Sequence, residues 1–463
     1  MQVSSEARTD ALDELRAALP GDVVVTGADA VEKYRHDWSR DASAGTPVAV
    51  VRAENAGQVQ AAVRWAASHG VPVVPRGAGS GLSGGSSAVD GGIVLSLERM
   101  TAVEIDPLCQ VAVVEPGAFN KDVKAAAAKE GLWYPPDPSS YEICSIGGNV
   151  ATNAGGLCCV KYGVTTDYVL GLDVVLADGT LITLGGKRIK DVAGLSLLKL
   201  FFGSEGTLGI VTRAILRLVP AQGARSTMVA TFSTVQAAAE AVVAIRTTMR
   251  PCLLELMDRE TINAVEDFRP MGLDRTVGAL LIGQSDAPGG VRSGEITAMQ
   301  GACQAAGAGE CFVTDDADEG EMFVEARRAA FPALERRGAL LLEDVGVPIP
   351  LLPDLLGRIV AISQEHGVEI PTVAHAGDGN THPLIVYDAQ DAESERRARA
   401  AFLEVMSAAI ALGGTITGEH GVGRAKAVSL PEQLGPDVMA LTRRIKDALD
   451  PDGILNPGAI LSR

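Results

Sequence analysis

The stretch PRGAGSGLSGGSS, residues 75–87, decides how the N-terminal half is read. Five of its thirteen positions are glycine, at 77, 79, 81, 84 and 85. Glycine lets backbone N–H groups come close to a pyrophosphate, because no Cβ intervenes. Gly79, Gly81 and Gly84 match a GxGxxG spacing. That spacing binds a dinucleotide when a helix follows the turn and aims its N-terminus at the phosphates. Here GSSAVDGGIVLSL follows, which reads as loop and then strand, so a nicotinamide-type Rossmann site is disfavoured. A surface loop without function is the plain alternative. The valine-rich strand VPVVPRG running straight into the glycines favours an anion cradle.

Outward from this loop, strands and helices alternate. Asn55 is placed to cap a helix through QVQAAVRWAASHG that ends at Gly70. ALDELRAALP and NKDVKAAAAKEG read as helices, and GGIVLSL and VAVVEPG as strands. LGLDVVLADGTLITLG reads as a hairpin turning at Asp178-Gly179. After Pro220 the texture changes: residues 221–250 carry an alanine-rich helical pattern, and LLELMD and VGALLIG then alternate with helices. The expected organisation is a first domain at 1–220, a second at 221–415, and a C-terminal segment, 416–463, that returns to the first.

At 463 residues the chain exceeds what one hydrophobic core usually serves. Its formal charge of −18 opposes nucleic acid or an anionic membrane as partner. An anionic substrate then needs a locally positive site. No apolar run reaches spanning length, and the polar N-terminus does not resemble a signal peptide. The seven cysteines include no CxxC pair, which points to reduced, buried thiols in a cytoplasmic protein, with peripheral membrane association left open.

Two further segments are rich in glycine: PPDPSSYEICSIGGNVATNAGG, 135–156, and FFGSEGTLGIVT, 201–212. Three such segments in one domain suggest a long ligand wrapped by backbone. In the other half, HAGDGNTHP, 375–383, sets two of only six histidines seven positions apart. His375 and His382 converge if VAHAG and THPLIVY are adjacent strands. Imidazole and carboxylate suit a divalent first-row metal, and ITGEHGVG offers Glu419 and His420. Ordinary turn chemistry is the alternative for either motif alone. ARRAAFPALERR holds four arginines, for which a solvated helix face is the usual reading.

In their order along the chain, the glycine-rich motifs resemble the FAD-binding domain of the vanillyl-alcohol oxidase type. HAGDGNTHP, GEHGVGR and DPDGILNPG resemble the C-terminal half of the FAD-linked D-2-hydroxyacid dehydrogenases. That group includes D-lactate dehydrogenase, the glycolate oxidase catalytic subunit and D-2-hydroxyglutarate dehydrogenase. The resemblance implies an α+β fold: a two-subdomain FAD-binding domain and an α+β cap domain with an antiparallel sheet. It implies that Arg76, Gly77, Gly79, Ser80, Gly81, Gly84 and Gly85 hold the FAD pyrophosphate. Pro136, Asp137, Ser139, Ser145, Gly147, Gly148 and Asn149 then line the cofactor further, followed by Asn153, Gly155 and Gly156. Glu205, Gly206 and Ile210 form another side, with Asn456 from the last motif. Ser80 stands where covalent members carry a flavin-linked histidine, so the FAD is expected to be non-covalent.

By the same resemblance His375, His382 and Glu419 bind the metal, zinc first and manganese or iron as alternatives. His420 is the base, and Arg327 clamps the substrate carboxylate, with Arg328 its rival. The implied reaction oxidises a D-2-hydroxyacid to the 2-oxoacid, with hydride passing to flavin N5. The 2-hydroxyglutarate branch carries a lysine where Leu342 stands, which favours D-lactate, glycolate or a larger apolar hydroxyacid. Electrons leave to a quinone, a carrier protein or a partner subunit, and a homodimer is left open. Three competing readings follow from parts of the pattern: a plain FAD alcohol or sugar oxidase, a non-catalytic flavin scaffold, and a metallohydrolase. Ala459 departs from the family's usual NPGK.

Overall fold

A computed structural model describes residues 5–41 and 43–461. The chain forms two units. The first runs through Ala154, takes in Val164–Ala221, and is rejoined from Glu419 onward. The second comprises Gly155–Gly163 and Gln222–Gly418. The return therefore begins at Glu419 rather than near 416, and a nine-residue excursion, invisible in the sequence pattern, leaves the first unit at Gly155.

The first unit has two larger sheets, as expected for two subdomains, and a two-stranded one that pairs Leu132–Trp133 with Val219–Pro220. In one, Ala49–Arg52, Ile93–Ser96 and Val73–Arg76 run parallel, with Val24–Val25 antiparallel at the edge. These strands are apolar on both faces because the sheet is buried. Helix Ala56–His69 covers it with Val59, Ala62, Val63 and Ala66. Asn55 accepts from the Gln58 N–H at 3.1 Å, and Gly70 closes the helix at φ +62°. The other sheet is antiparallel, in the order Val103–Asp106, Val111–Val114, Ile210–Arg217, Val169–Val175, Leu181–Gly185. Its hairpin turns at Asp178-Gly179, and Gln60 and Arg64 of the covering helix donate to the Gly179 carbonyl.

The second unit is built on eight antiparallel strands. Its first strand corrects the sequence reading: Ser226–Phe232 lies inside the stretch expected to be helical, and the helix is confined to Val235–Thr248. The strand pairs on both sides, with Ala279–Ser285 and Cys311–Thr314, and that burial outweighs the helical propensity of the alanines beyond it. The excursion is fixed by Leu157, which joins this unit's core, and by Lys161 and Tyr162, which both bond Asp286. All seven cysteines are free thiols, but only Cys144, Cys158, Cys252 and Cys303 are buried; Cys109 is exposed. Burial pushes the Cys252 and Cys303 thiols up to about 12.

Candidate functional sites in the two units

The glycine loop begins where strand Val73–Arg76 ends. Its close packing explains its composition. A Cβ at Gly77 would stand 2.2 Å from Ser145 Oγ, and one at Gly206 2.2 Å from Pro75 Cγ. Gly79, at φ +73°, covers the Arg76 guanidinium so tightly that a Cβ would lie 2.0 Å from it. Arg76 is thus folded beneath the loop, and burial lowers its pKa. The Ala78 N–H donates to Ser145 Oγ at 3.1 Å, which joins the loop to helix Ile146–Thr152. Gly147 is pressed against Pro116, and Asn149 is buried with its Nδ2 lacking a partner among the described residues. A backbone cradle with an orphaned amide donor fits a large cofactor held by main-chain contacts.

The loop's carbonyls face the returning segment. Arg424 Nη1 donates to Gly84 O at 2.5 Å, and Asn456 Nδ2 to Gly85 O at 2.7 Å. Ser83 Oγ donates to Gly421 O at 2.8 Å, and Ser39 N–H to Gly81 O at 3.2 Å. Glu205 also meets the returning segment. Its oxygens accept from the Val422 and Gly423 N–H groups at 2.7 to 3.0 Å, so it clamps the returning chain. Burial pushes its pKa up to about 7 despite those bonds. Asn456 Nδ2 also donates to Glu205 O. Asn153 is explained by backbone geometry: it ends helix Ile146–Thr152 at φ +56° and accepts from the Thr166 N–H. Ile210 lies in the hydrophobic core and Ser139 is exposed. Pro136 is buried with its carbonyl taken by Asn120, and Asp137 is half-buried. Ser80 and Gly148 are half-buried in the loop and the helix. Gly155 and Gly156 belong to the second unit's excursion.

In the second unit, strands Thr372–His375 and Asn380–Tyr387 are antiparallel neighbours, with Val373 opposite His382. The turn between them brings the His375 and His382 rings to 4.9 Å, edge to face. Their ligating nitrogens lie within 4.8 Å of one another. Each histidine has a buried carboxylate at Nδ1. Glu255 oxygens lie 2.8 and 2.9 Å from His375 Nδ1, and Asp344 Oδ1 lies 3.6 Å from His382 Nδ1. Asp344 Oδ2 accepts from Thr417 Oγ1 at 2.7 Å and from the Gly418 N–H at 3.0 Å. Imidazoles backed by carboxylates are the donor chemistry of a divalent metal site. Asp378 and Asn380 stay in the turn, with the Asn380 N–H directed to Asp378 Oδ1.

The two arginines separate. Arg327, in helix Ala317–Arg328, is 5% exposed, and its Nε lies 2.9 Å from Glu255 Oε2. The N–H points off that line, so the contact is an ion pair, and Nη2 is buried without a partner among the described residues. Arg328 is more exposed and pairs with Glu321. Leu342 ends strand Ala339–Leu342 and packs against the unit's core. Glu419 and His420 fall in the first unit, where His420 Nε2 lies 3.5 Å from Glu419 Oε1. Sequence reasoning missed Glu255 and Asp344. The signal for Glu255 was an acid inside the apolar strand LLELMD, since a charge buried in a core strand requires a partner.

The fold is that of the vanillyl-alcohol oxidase type flavoproteins. p-Cresol methylhydroxylase with substrate bound matches 99% of the chain with 98% of its own, at TM-score 0.83 and 19% identity. 4-Ethylphenol oxidase from Gulosibacter chungangensis, in its isoeugenol complex, matches at TM-score 0.80 and 21% identity. At those identities the likeness speaks for the fold alone. Residues 47–185 match a FAD binding domain, and residues 221–460 match the C-terminal domain of FAD linked oxidases. The glycolate oxidase subunit GlcD of Bacillus subtilis is 40% identical over 90% of this chain and 89% of its own length. The D-lactate dehydrogenase of Archaeoglobus fulgidus is 35% identical over 89% of this chain and 91% of its own. The chain belongs to the FAD-linked oxidase family, and it is a FAD-dependent oxidoreductase. Among the described residues no helix is long and apolar enough to cross a membrane.

Proposed function

We propose that the protein oxidises a short or apolar D-2-hydroxyacid, D-lactate first, to the 2-oxoacid with non-covalent FAD and one divalent metal. The observation that carries this reading is Arg327: a buried guanidinium with an unpartnered Nη2, tied through Glu255 to a histidine of a carboxylate-backed pair. A buried cationic fork with donors to spare suits a carboxylate. Bound FAD supplies a two-electron acceptor, and the metal, zinc in the first instance, supplies Lewis acidity.

The chain's residues do the rest. Arg327 binds and orients the substrate carboxylate. His375 and His382 would hold the metal: Glu255 at Nδ1 leaves Nε2 of His375 for that role, and Asp344 stands 3.6 Å from Nδ1 of His382. The family resemblance gives Glu419 as the third ligand. His420 takes the hydroxyl proton on an imidazole nitrogen. Leu342 offers no second cation for a distal carboxylate, and relatives bear the names D-lactate dehydrogenase and glycolate oxidase subunit. The word subunit in the glycolate oxidase names supports a partner subunit as an electron acceptor. The test is the anaerobic visible spectrum of the purified protein. D-lactate should bleach the oxidised flavin band, L-lactate should not, and prior chelation should block the change. Bleaching that persists after chelation would leave a plain FAD oxidase, and no bleaching by D-lactate or glycolate would move the substrate elsewhere.

A further inference from the structure

We infer that Glu255 is a positioning residue joining the metal-binding and carboxylate-binding halves of this site, an inference that rests on the reading just given. Glu255 lies on strand Leu253–Asp258 and is 1% exposed. Leu256 pairs with Ala374 across the sheet, so Glu255 stands opposite His375 in the same register. Its two oxygens reach His375 Nδ1 at 2.8 and 2.9 Å, and Oε2 also lies 2.9 Å from Arg327 Nε. One carboxylate therefore engages both functional groups at once.

Two consequences follow. To donate to Glu255, His375 must carry its proton on Nδ1, and that tautomer puts the lone pair on Nε2, where a metal takes it. Meanwhile Glu255 balances the guanidinium through Nε, so the outer nitrogen Nη2 is left directed at something else. A substrate that binds through a carboxylate and a metal-bound oxygen then meets two partners whose spacing is set by one side chain. Partners of a ligating histidine tune metal affinity about 10- to 100-fold. If Glu255 served only to neutralise Arg327 for folding, neither the His375 tautomer nor metal affinity would depend on it.

The experiment uses full-length, FAD-loaded protein stripped of metal by chelation, as wild type and as E255Q. Zinc alone is titrated in, and ¹⁵N-histidine spectra of the metal-free protein report the His375 tautomer. The expected result for E255Q is a mixed or inverted tautomer at His375, zinc affinity lower by about 10- to 100-fold, and a raised KM for D-lactate, with flavin content unchanged. R327A should raise KM while zinc affinity stays near wild type. Should E255Q fail to fold, E255D keeps the charge but withdraws it, and should show the same losses in smaller measure. Wild type that takes up no zinc would overturn the reading of the site. Wild type and a folded variant that bind zinc equally, with the Nδ1–H tautomer kept in both, would overturn the role of Glu255 alone.

Discussion

The glycine loop of the first unit and the histidine loop of the second both leave the end of a buried strand, yet they are made of different material. After Val73–Arg76 the backbone does the work: glycines at 77, 79 and 206 sit where a Cβ would collide with Ser145, Arg76 or Pro75. After Thr372–His375 the side chains do it, and each histidine is backed by an acid from another strand or loop, Glu255 or Asp344. A backbone site fails when any side chain is added. A side-chain site fails when one charge in a balanced set is removed. The two therefore break under opposite kinds of substitution.

The largest expected effect is on the side-chain site. Arg327→Ala removes the proposed carboxylate clamp and leaves Glu255 buried without its cation. We expect kcat/KM for D-lactate to fall about a thousandfold, equivalent to about 4 kcal/mol of lost transition-state binding. Stability should fall by about 3–5 kcal/mol, because an uncompensated buried charge remains. The double variant Arg327→Ala with Glu255→Gln should recover much of the stability and none of the activity. Denaturant titrations beside steady-state kinetics check this. A single variant that unfolds like wild type would show that the pair carries no balanced charge.

The backbone site should break under addition. Gly206→Ala puts a methyl group at φ +73° against Pro75, a position costly for any L residue. The expected loss is about 3 kcal/mol, with flavin content reduced and zinc uptake kept. Flavin-to-protein absorbance ratio and metal analysis on the same sample make the comparison. Loss of zinc together with flavin would erase the distinction drawn between the two sites.

Much of this contrast was legible in the sequence. Glycine runs suggest a backbone cradle, because without a Cβ the main-chain N–H groups can approach an anion closely. The Asn55 cap and the Asp178-Gly179 turn were likewise local signals with local causes. What escaped reading lay in pairings across long stretches of chain: Glu255 with His375, 120 residues apart, and Glu205 with Gly423, 218 apart. Strand Ser226–Phe232 carries Thr, Val and Phe that suit a strand, and it escaped because the alanine-rich helix just beyond it set the reading of the whole stretch. The excursion 155–163 escaped because residues far along the chain, Asp286 and the second unit's core among them, hold it.

Glu205 sharpens the comparison further, since it is a charge serving the backbone site. Burial raises its pKa from 4.5 to about 7. An acid harder to ionise in the folded state favours folding while it is protonated. Its contribution is complete below about 4.5 and is lost as pH rises through 7. Glu205→Gln stays neutral throughout and keeps one acceptor for the Val422 and Gly423 N–H groups. The difference in unfolding free energy between pH 5 and pH 8 should therefore shrink by about 2–3 kcal/mol in the variant. At pH 5 the variant should be the weaker by about 1 kcal/mol, having given up part of a buried hydrogen-bond set. An unchanged slope would mean that the two amide donors already hold Glu205 ionised, and that the clamp on the returning chain is a charge throughout.

The smallest effect belongs to a position that serves neither site. Asn55→Ala removes a cap from helix Ala56–His69 and should cost about 1 kcal/mol. That helix holds the Gly179 turn and packs on the buried sheet from which the glycine loop springs. Flavin content, zinc affinity and KM should stay at wild-type values while the denaturation midpoint shifts. Such a variant separates what a general loss of stability does to the spectra from what Gly206→Ala or Arg327→Ala does. Flavin loss in Asn55→Ala on the scale of Gly206→Ala would mean that the cradle answers to the stability of its sheet and not to the missing Cβ atoms.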